Sequence, residues 1–89
     1  MKFIIHSPTG IETEQSQVDA VRAILADGKP LTILPRHAPL IAAIGQKPII
    51  AVRGRDERSY RVKGGILLVA DDTVKVLANG LQESEPANE

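Results

Sequence analysis

The 89-residue chain has no cysteine and no tryptophan, and Phe3 and Tyr60 are its only aromatic residues. Without cysteine there is neither a disulfide scaffold nor a zinc–thiolate site. The shortage of aromatics removes the stacking platforms on which single-stranded nucleic acids are read. It also forces the core to be assembled from Val, Ile, Leu and Ala. Charge of one sign is missing as well: eleven basic and eleven acidic residues cancel. No long-range field therefore selects nucleic acid or an anionic membrane. Long apolar runs are absent too. Phe3-Ile4-Ile5 is too short for a signal core, and nothing approaches the ~20 apolar residues of a spanning helix. The expectation is a soluble, cytoplasmic protein.

What remains is one small domain with a thin margin of stability, because chain entropy offsets nearly all that aliphatic burial contributes. A domain of this size gains stability from a partner that binds only the folded state.

Along the chain, punctuation by Gly and Pro is frequent. The opening apolar run stops at Ser7-Pro8-Thr9-Gly10, a strand followed by a turn. Val18, Val21 and Leu25 fall at helical spacing among alanines, so local propensity alone predicts a short amphipathic helix stopped at Gly28. Beyond it the pattern is β-like. Pro30 to Leu34 is extended, Pro35 and Pro39 hold the next segment away from helix, and Leu40 to Ile44 is apolar. Ile50 and Val52, then Arg53-Gly54-Arg55-Asp56, then Tyr60 and Val62 read as a hairpin. Gly64-Gly65 precedes the apolar run Ile66 to Val69. Ala70-Asp71-Asp72 turns the chain into Val74, Val76 and Leu77. Short strands at this spacing indicate a sandwich or barrel over residues 1–80. Residues 81–89 are acidic and nearly without apolar side chains, which predicts a disordered tail.

Catalytic chemistry finds little support. His6 and Ser7 are neighbours, and neighbours in a strand point to opposite faces. A metal site would need His6 and His37 to converge with carboxylates from distant segments. Gly28-Lys29-Pro30 lacks the glycine spacing and the hydroxyl residue of a phosphate loop. Asp71-Asp72 reads as turn chemistry, not as a calcium site. Arg53, Arg55, Arg58, Arg61 and Lys63 concentrate positive charge on the hairpin. The bland reading is cross-strand ion pairs on a wet face, and the functional one an acidic loop of a protein partner. No constellation supports general acid–base or nucleophilic catalysis. The reading is therefore of a binding module with no catalytic residue, cofactor or metal.

Three segments together carry a family resemblance. Ile33-Leu34-Pro35-Arg36-His37-Ala38-Pro39-Leu40 resembles the Ile-Leu-Pro-Gly-His-Ala-Pro-Leu element of the epsilon subunit of F-type ATP synthases. Val62-Lys63-Gly64-Gly65-Ile66-Leu67-Leu68-Val69 is similar to its Val-Ser-Gly-Gly strand, and Val74-Lys75-Val76-Leu77-Ala78 to the strand that closes its sandwich. Order and spacing agree over roughly residues 2 to 80, and Ser7-Pro8-Thr9-Gly10 fits the family's opening turn. The resemblance implies an all-β fold, a small sandwich or flattened barrel of about ten short strands, with Val18 to Leu25 extended and not helical.

It also implies a non-catalytic role in the central stalk, joining the gamma subunit to the membrane c-ring during ATP synthesis driven by ion flow. The domain would touch the membrane only through the complex. A sandwich adaptor of the same fold serving another assembly is the alternative. By position, Lys29, Pro30 and Leu31 with Arg36, His37, Ala38 and Pro39 would face the c-ring or the foot of gamma, and Ser7 and Ala42 would lie along gamma. Fixing a turn is the competing role for Pro35 and Pro39, and satisfying a main-chain carbonyl that for His37. The family's acidic residue after the glycine is Lys29 here, Pro30 is an insertion, Thr32 replaces a glycine, and Arg36 replaces the glycine before His-Ala-Pro-Leu. Its C-terminal helical hairpin, which in many members binds ATP or restrains hydrolysis, has no counterpart after Leu81. The expectation is no nucleotide binding and no ATPase inhibition by this chain. The partner-facing sheet should carry an exposed apolar patch.

Overall fold

The computed structural model describes residues 1–79, apart from the side chains of residues 11 and 12, together with the main chain of residues 81–86. Among the described residues there are ten strands: β1 (Lys2–Ser7), β2 (Gly10–Gln15), β3 (Ala20–Ile24), β4 (Pro30–Ile33), β5 (Leu40–Ile44), β6 (Ile49–Arg53), β7 (Asp56–Val62), β8 (Gly65–Ala70), β9 (Thr73–Ala78) and β10 (Leu81–Pro86). They form two five-stranded sheets, ordered β2-β1-β9-β8-β5 and β10-β7-β6-β3-β4. The β1–β9 pair is parallel and the other ladders are antiparallel. The expected sandwich is thus what the chain forms.

Period-two burial explains the layers. β9 buries Val74, Val76 and Ala78 and turns Leu77 outward, while β8 buries Leu67 and Val69. Phe3 and Ile5 from β1 meet Tyr60 and Val62 from β7 across the interior. The two aromatic rings pack at a centroid distance of 5.6 Å, tilted by 44°, a geometry worth roughly 1 kcal/mol beyond its burial. The rest of the core is aliphatic, as the composition requires.

Val18 to Leu25 departs from its local propensity. Ala20–Ile24 is a strand whose burial alternates, Val21 and Ala23 inward and Arg22 outward. Its main chain is held on both sides, by β4 and by β6. Two long-range ladders outweigh the few tenths of a kcal/mol per residue by which alanine favours helix. Just beyond β3 the sheets join: Leu25 bridges Ile44, and the Ala26 N–H donates to the Ala43 carbonyl at 2.9 Å.

The expected disordered tail is corrected over Leu81–Pro86, where the main chain forms β10 against β7. An open strand edge recruits a neighbour through its main-chain N–H and C=O groups, and that pairing does not require an apolar side chain. Residues 87–89, the remainder of that expectation, lie outside the described residues.

Candidate partner interface

Side chains on the outer face of the β2-β1-β9-β8-β5 sheet fall into two cross-strand rows. Strand register places Ile4 beside Lys75, Lys75 beside Leu68, and Leu68 beside Ile41. The second row runs from His6 to Leu77, Ile66 and Ala43. Ile41 is 74 % exposed, Ile66 44 % and Leu77 41 %. A solvated sheet face ordinarily carries polar residues at such positions. Here aliphatic side chains are contiguous across β5, β8 and β9, which marks an interaction surface. Lys75, half-buried among them, is not ion-paired within the described residues.

The face continues into a shallow groove of about 350 Å³ at one end of the sandwich, lined by His6, Ser7, Pro8, Gly65, Ile66 and Leu77, among others. Ser7 stands there at the end of β1. Its Oγ lies 2.9 Å from the Thr9 hydroxyl, and the Thr9 N–H donates back to that Oγ at 3.3 Å, so the predicted turn is tied locally. Ala42 lies in edge strand β5 on the inner parity, level with buried Leu67, and is half-exposed because the sheet ends there.

Strand β4 separates the other predicted positions. Lys29 sits in the turn before it, where the Lys29 N–H donates to Asp27 Oδ1 at 3.0 Å and the Leu25 N–H to the Lys29 carbonyl at 2.8 Å. Pro30 opens the strand, exposed, and Leu31 is half-buried. Arg36, His37, Ala38 and Pro39 come after its other end. The intervening four-residue strand rises roughly 10 Å, so the two groups form no single cluster. A partner lying along the β4 edge would touch both.

The 34–39 segment is rigidly made. Arg36 has φ of +66°, in the left-handed region that costs a non-glycine residue roughly 1–2 kcal/mol. Its N–H donates to Asp72 Oδ1 at 2.9 Å, fastening the segment to the β8–β9 turn. Asp71 and Asp72 are themselves at φ +53° and +57°, the signs of a two-residue hairpin turn. The His37 N–H closes on the Leu34 carbonyl at 3.1 Å, and its Nδ1–H donates to the Ala38 carbonyl at 2.7 Å. The histidine ring therefore satisfies the main chain. Leu34, 55 % exposed, projects beside it, a position that the sequence reading did not single out.

His6 and His37 do not converge. One is on the outer face of β1 near the groove, the other after β4, and no set of three His, Asp or Glu residues among those described is placed to hold a metal. The hairpin arginines also depart from the bland expectation. Within the described residues, Glu57 pairs with Arg22 of β3 at 2.9 Å, and neither Arg53, Arg55, Arg58, Arg61 nor Lys63 forms an ion pair.

A sequence model of the ATP synthase Delta/Epsilon chain beta-sandwich domain matches residues 1–84. The chain belongs to this family. Among its curated relatives, the ATP synthase epsilon chain of Dehalococcoides mccartyi is 41 % identical over 69 residues, covering 78 % of this chain and 49 % of the relative. That of Solibacter usitatus is 36 % identical over 74 residues, covering 83 % and 54 %. The chain thus spans about half the length of the curated relatives it matches. A Euglena gracilis mitochondrial ATP synthase structure superposes with a TM-score of 0.79 at 18 % identity, covering 98 % of this chain and 53 % of that one. The central stalk and c-ring of Tetrahymena thermophila ATP synthase gives 0.69 at 12 % identity, covering 100 % and 68 %. At those identities the likeness is one of fold. The second glycine of the Val-Lys-Gly-Gly segment has a steric reason: a Cβ on Gly65, at φ +150°, would sit 2.2 Å from the Leu77 carbonyl oxygen.

Proposed function

We propose that this protein is an epsilon-type subunit of the central stalk of an F-type ATP synthase. It has no active site of its own and couples the gamma subunit to the c-ring during ion-driven ATP synthesis. It is peripheral, on the cytoplasmic side of the energy-transducing membrane, and reaches that membrane only through the complex. One observation carries the reading within the family: the contiguous aliphatic outer face of Ile41, Ile66, Leu68 and Leu77. It is the surface that a stably bound partner protein would cover.

Gamma lies along this face, from the groove at Ser7 to edge strand β5 with Ala42. The c-ring or the foot of gamma meets the β4 edge, with Lys29, Pro30 and Leu31 at one end and Arg36 to Pro39 at the other. Both ends present a cation, Lys29 and Arg36, so the facing loops carry carboxylates. A close-packed sandwich suits this role because its interior deforms little under load.

The test is a pull-down of tagged protein from its native membranes. Recovery of gamma, alpha and beta subunits is expected, and Ile41→Asp with Ile66→Asp should abolish it. Failure to recover them while the synthase stays intact would overturn the assignment in favour of an adaptor for another assembly.

A further inference from the structure

Strand β9 is the third of five in its sheet, and Lys75 stands near its middle on the outer face. Its neighbours in the cross-strand row are Ile4 on β1 and Leu68 on β8. The next outward side chain along β9 is Leu77. Aliphatic residues thus flank the lysine on three sides. It is half-buried, as a side chain with an apolar stem can be while its ammonium stays in water.

Within the described residues that ammonium has no ion-pair partner. Glu14 stands in the same row beyond Ile4, and its carboxylate lies 3.8 Å from Lys2 Nζ. Asp71, in the β8–β9 turn, shares with Lys75 a shallow groove of about 300 Å³ that Leu68, Ala70 and Thr73 also line. The two charges nevertheless do not pair. In the free domain water solvates the lysine. A protein lying across β1, β9, β8 and β5 would remove that water, and a covered ammonium without a counter-charge is strongly unfavourable. The face therefore disfavours a uniformly apolar partner surface and favours one with an acid at the matching place.

We infer that the partner covering this face presents an Asp or Glu side chain to Lys75 from within an otherwise aliphatic surface, entering by the groove beside Thr73. This rests on the stalk reading, in which that partner is gamma. Aliphatic contacts supply area but little direction, whereas one enclosed charge pair fixes the register of two surfaces. Lys29 and Arg36 differ in being exposed at the ends of β4, where salt screens them more than an enclosed pair.

The experiment is a competitive form of the pull-down. Wild-type and variant chains with different tags are co-expressed in the native cells, and the gamma subunit recovered on each tag is compared. Lys75→Met should recover at least about tenfold less gamma than the wild type, because it leaves a partner carboxylate covered and unpaired. Lys75→Gln repeats the test without adding apolar surface, and Lys75→Arg, which keeps the charge, should retain most of the recovery. Asp71→Asn, at a left-handed position that asparagine tolerates, should leave recovery unchanged. Thermal melts check that each variant folds. Recovery on Lys75→Met and Lys75→Gln equal to or above wild type would overturn the inference alone: the lysine would then only keep the free face soluble. A loss with Asp71→Asn as large as with Lys75→Met would also overturn it, since Lys75 would then turn to its own chain on docking. No gamma on the wild-type tag, with the synthase intact, would remove the stalk reading and this inference together.

Discussion

Replacing Arg36 by glycine should stabilise the fold while weakening its hold on a partner. Arg36 sits at φ +66°, where a side chain costs roughly 1–2 kcal/mol relative to glycine. Glycine gives back about 0.4–1 kcal/mol through the greater freedom of its unfolded chain. The contact that fixes the segment is the main-chain N–H donating to Asp72 at 2.9 Å, and glycine keeps it. The net gain is about 0.5–1 kcal/mol, which for a domain of this size raises the melting temperature by roughly 2–8 °C. Differential scanning calorimetry on Arg36→Gly, Arg36→Asn and Arg36→Val separates strain from side-chain contacts. Asn tolerates the left-handed region and a β-branched residue does not. The expected order of stability is Gly and Asn above Arg, with Val lowest. A glycine variant that melts below the wild type, or a valine variant equal to it, would refute the strain argument. Retaining arginine at a strained, exposed position makes sense if its charge serves binding, so Arg36→Gly should also reduce recovery of partner subunits in the pull-down.

Gly65→Ala should be severely destabilising, by about 3 kcal/mol, because its Cβ would fall 2.2 Å from the Leu77 carbonyl oxygen and push β8 off β9; urea unfolding measures this. Asp72→Ala removes the acceptor of the Arg36 N–H and should cost about 1 kcal/mol, read as a lower urea midpoint at unchanged slope. Ile66→Ser on the outer face should change stability by no more than about 0.5 kcal/mol while lowering gamma recovery. The buried Leu67→Ala next to it should lose about 2–5 kcal/mol. The pair distinguishes a docking surface from the core.

Much of the strand pattern was legible because apolar alternation and Gly-Pro punctuation are local signals. Ile50 to Val62 announced a hairpin and Asp71-Asp72 a turn, and both are where the alternation put them. The partner face was legible only in part. Leu40 to Ile44 and Ile66 to Val69 read as apolar runs, and which residues of those runs turn outward depends on register with neighbouring strands.

By itself the sequence determined an aliphatic β domain without thiol chemistry, its turn positions, and the segments that carry the family resemblance. Tertiary structure decided the rest. Ala20–Ile24 is a strand because β4 and β6 hydrogen-bond it on both sides. Leu81–Pro86 is a strand because β7 offers an open edge. Lys29 and Arg36 are kept apart because β4 stands between them. The physical reason is common to all three: a strand's hydrogen bonds are made to other segments of the chain, so its existence and its facing are properties of the sheet, not of its own residues.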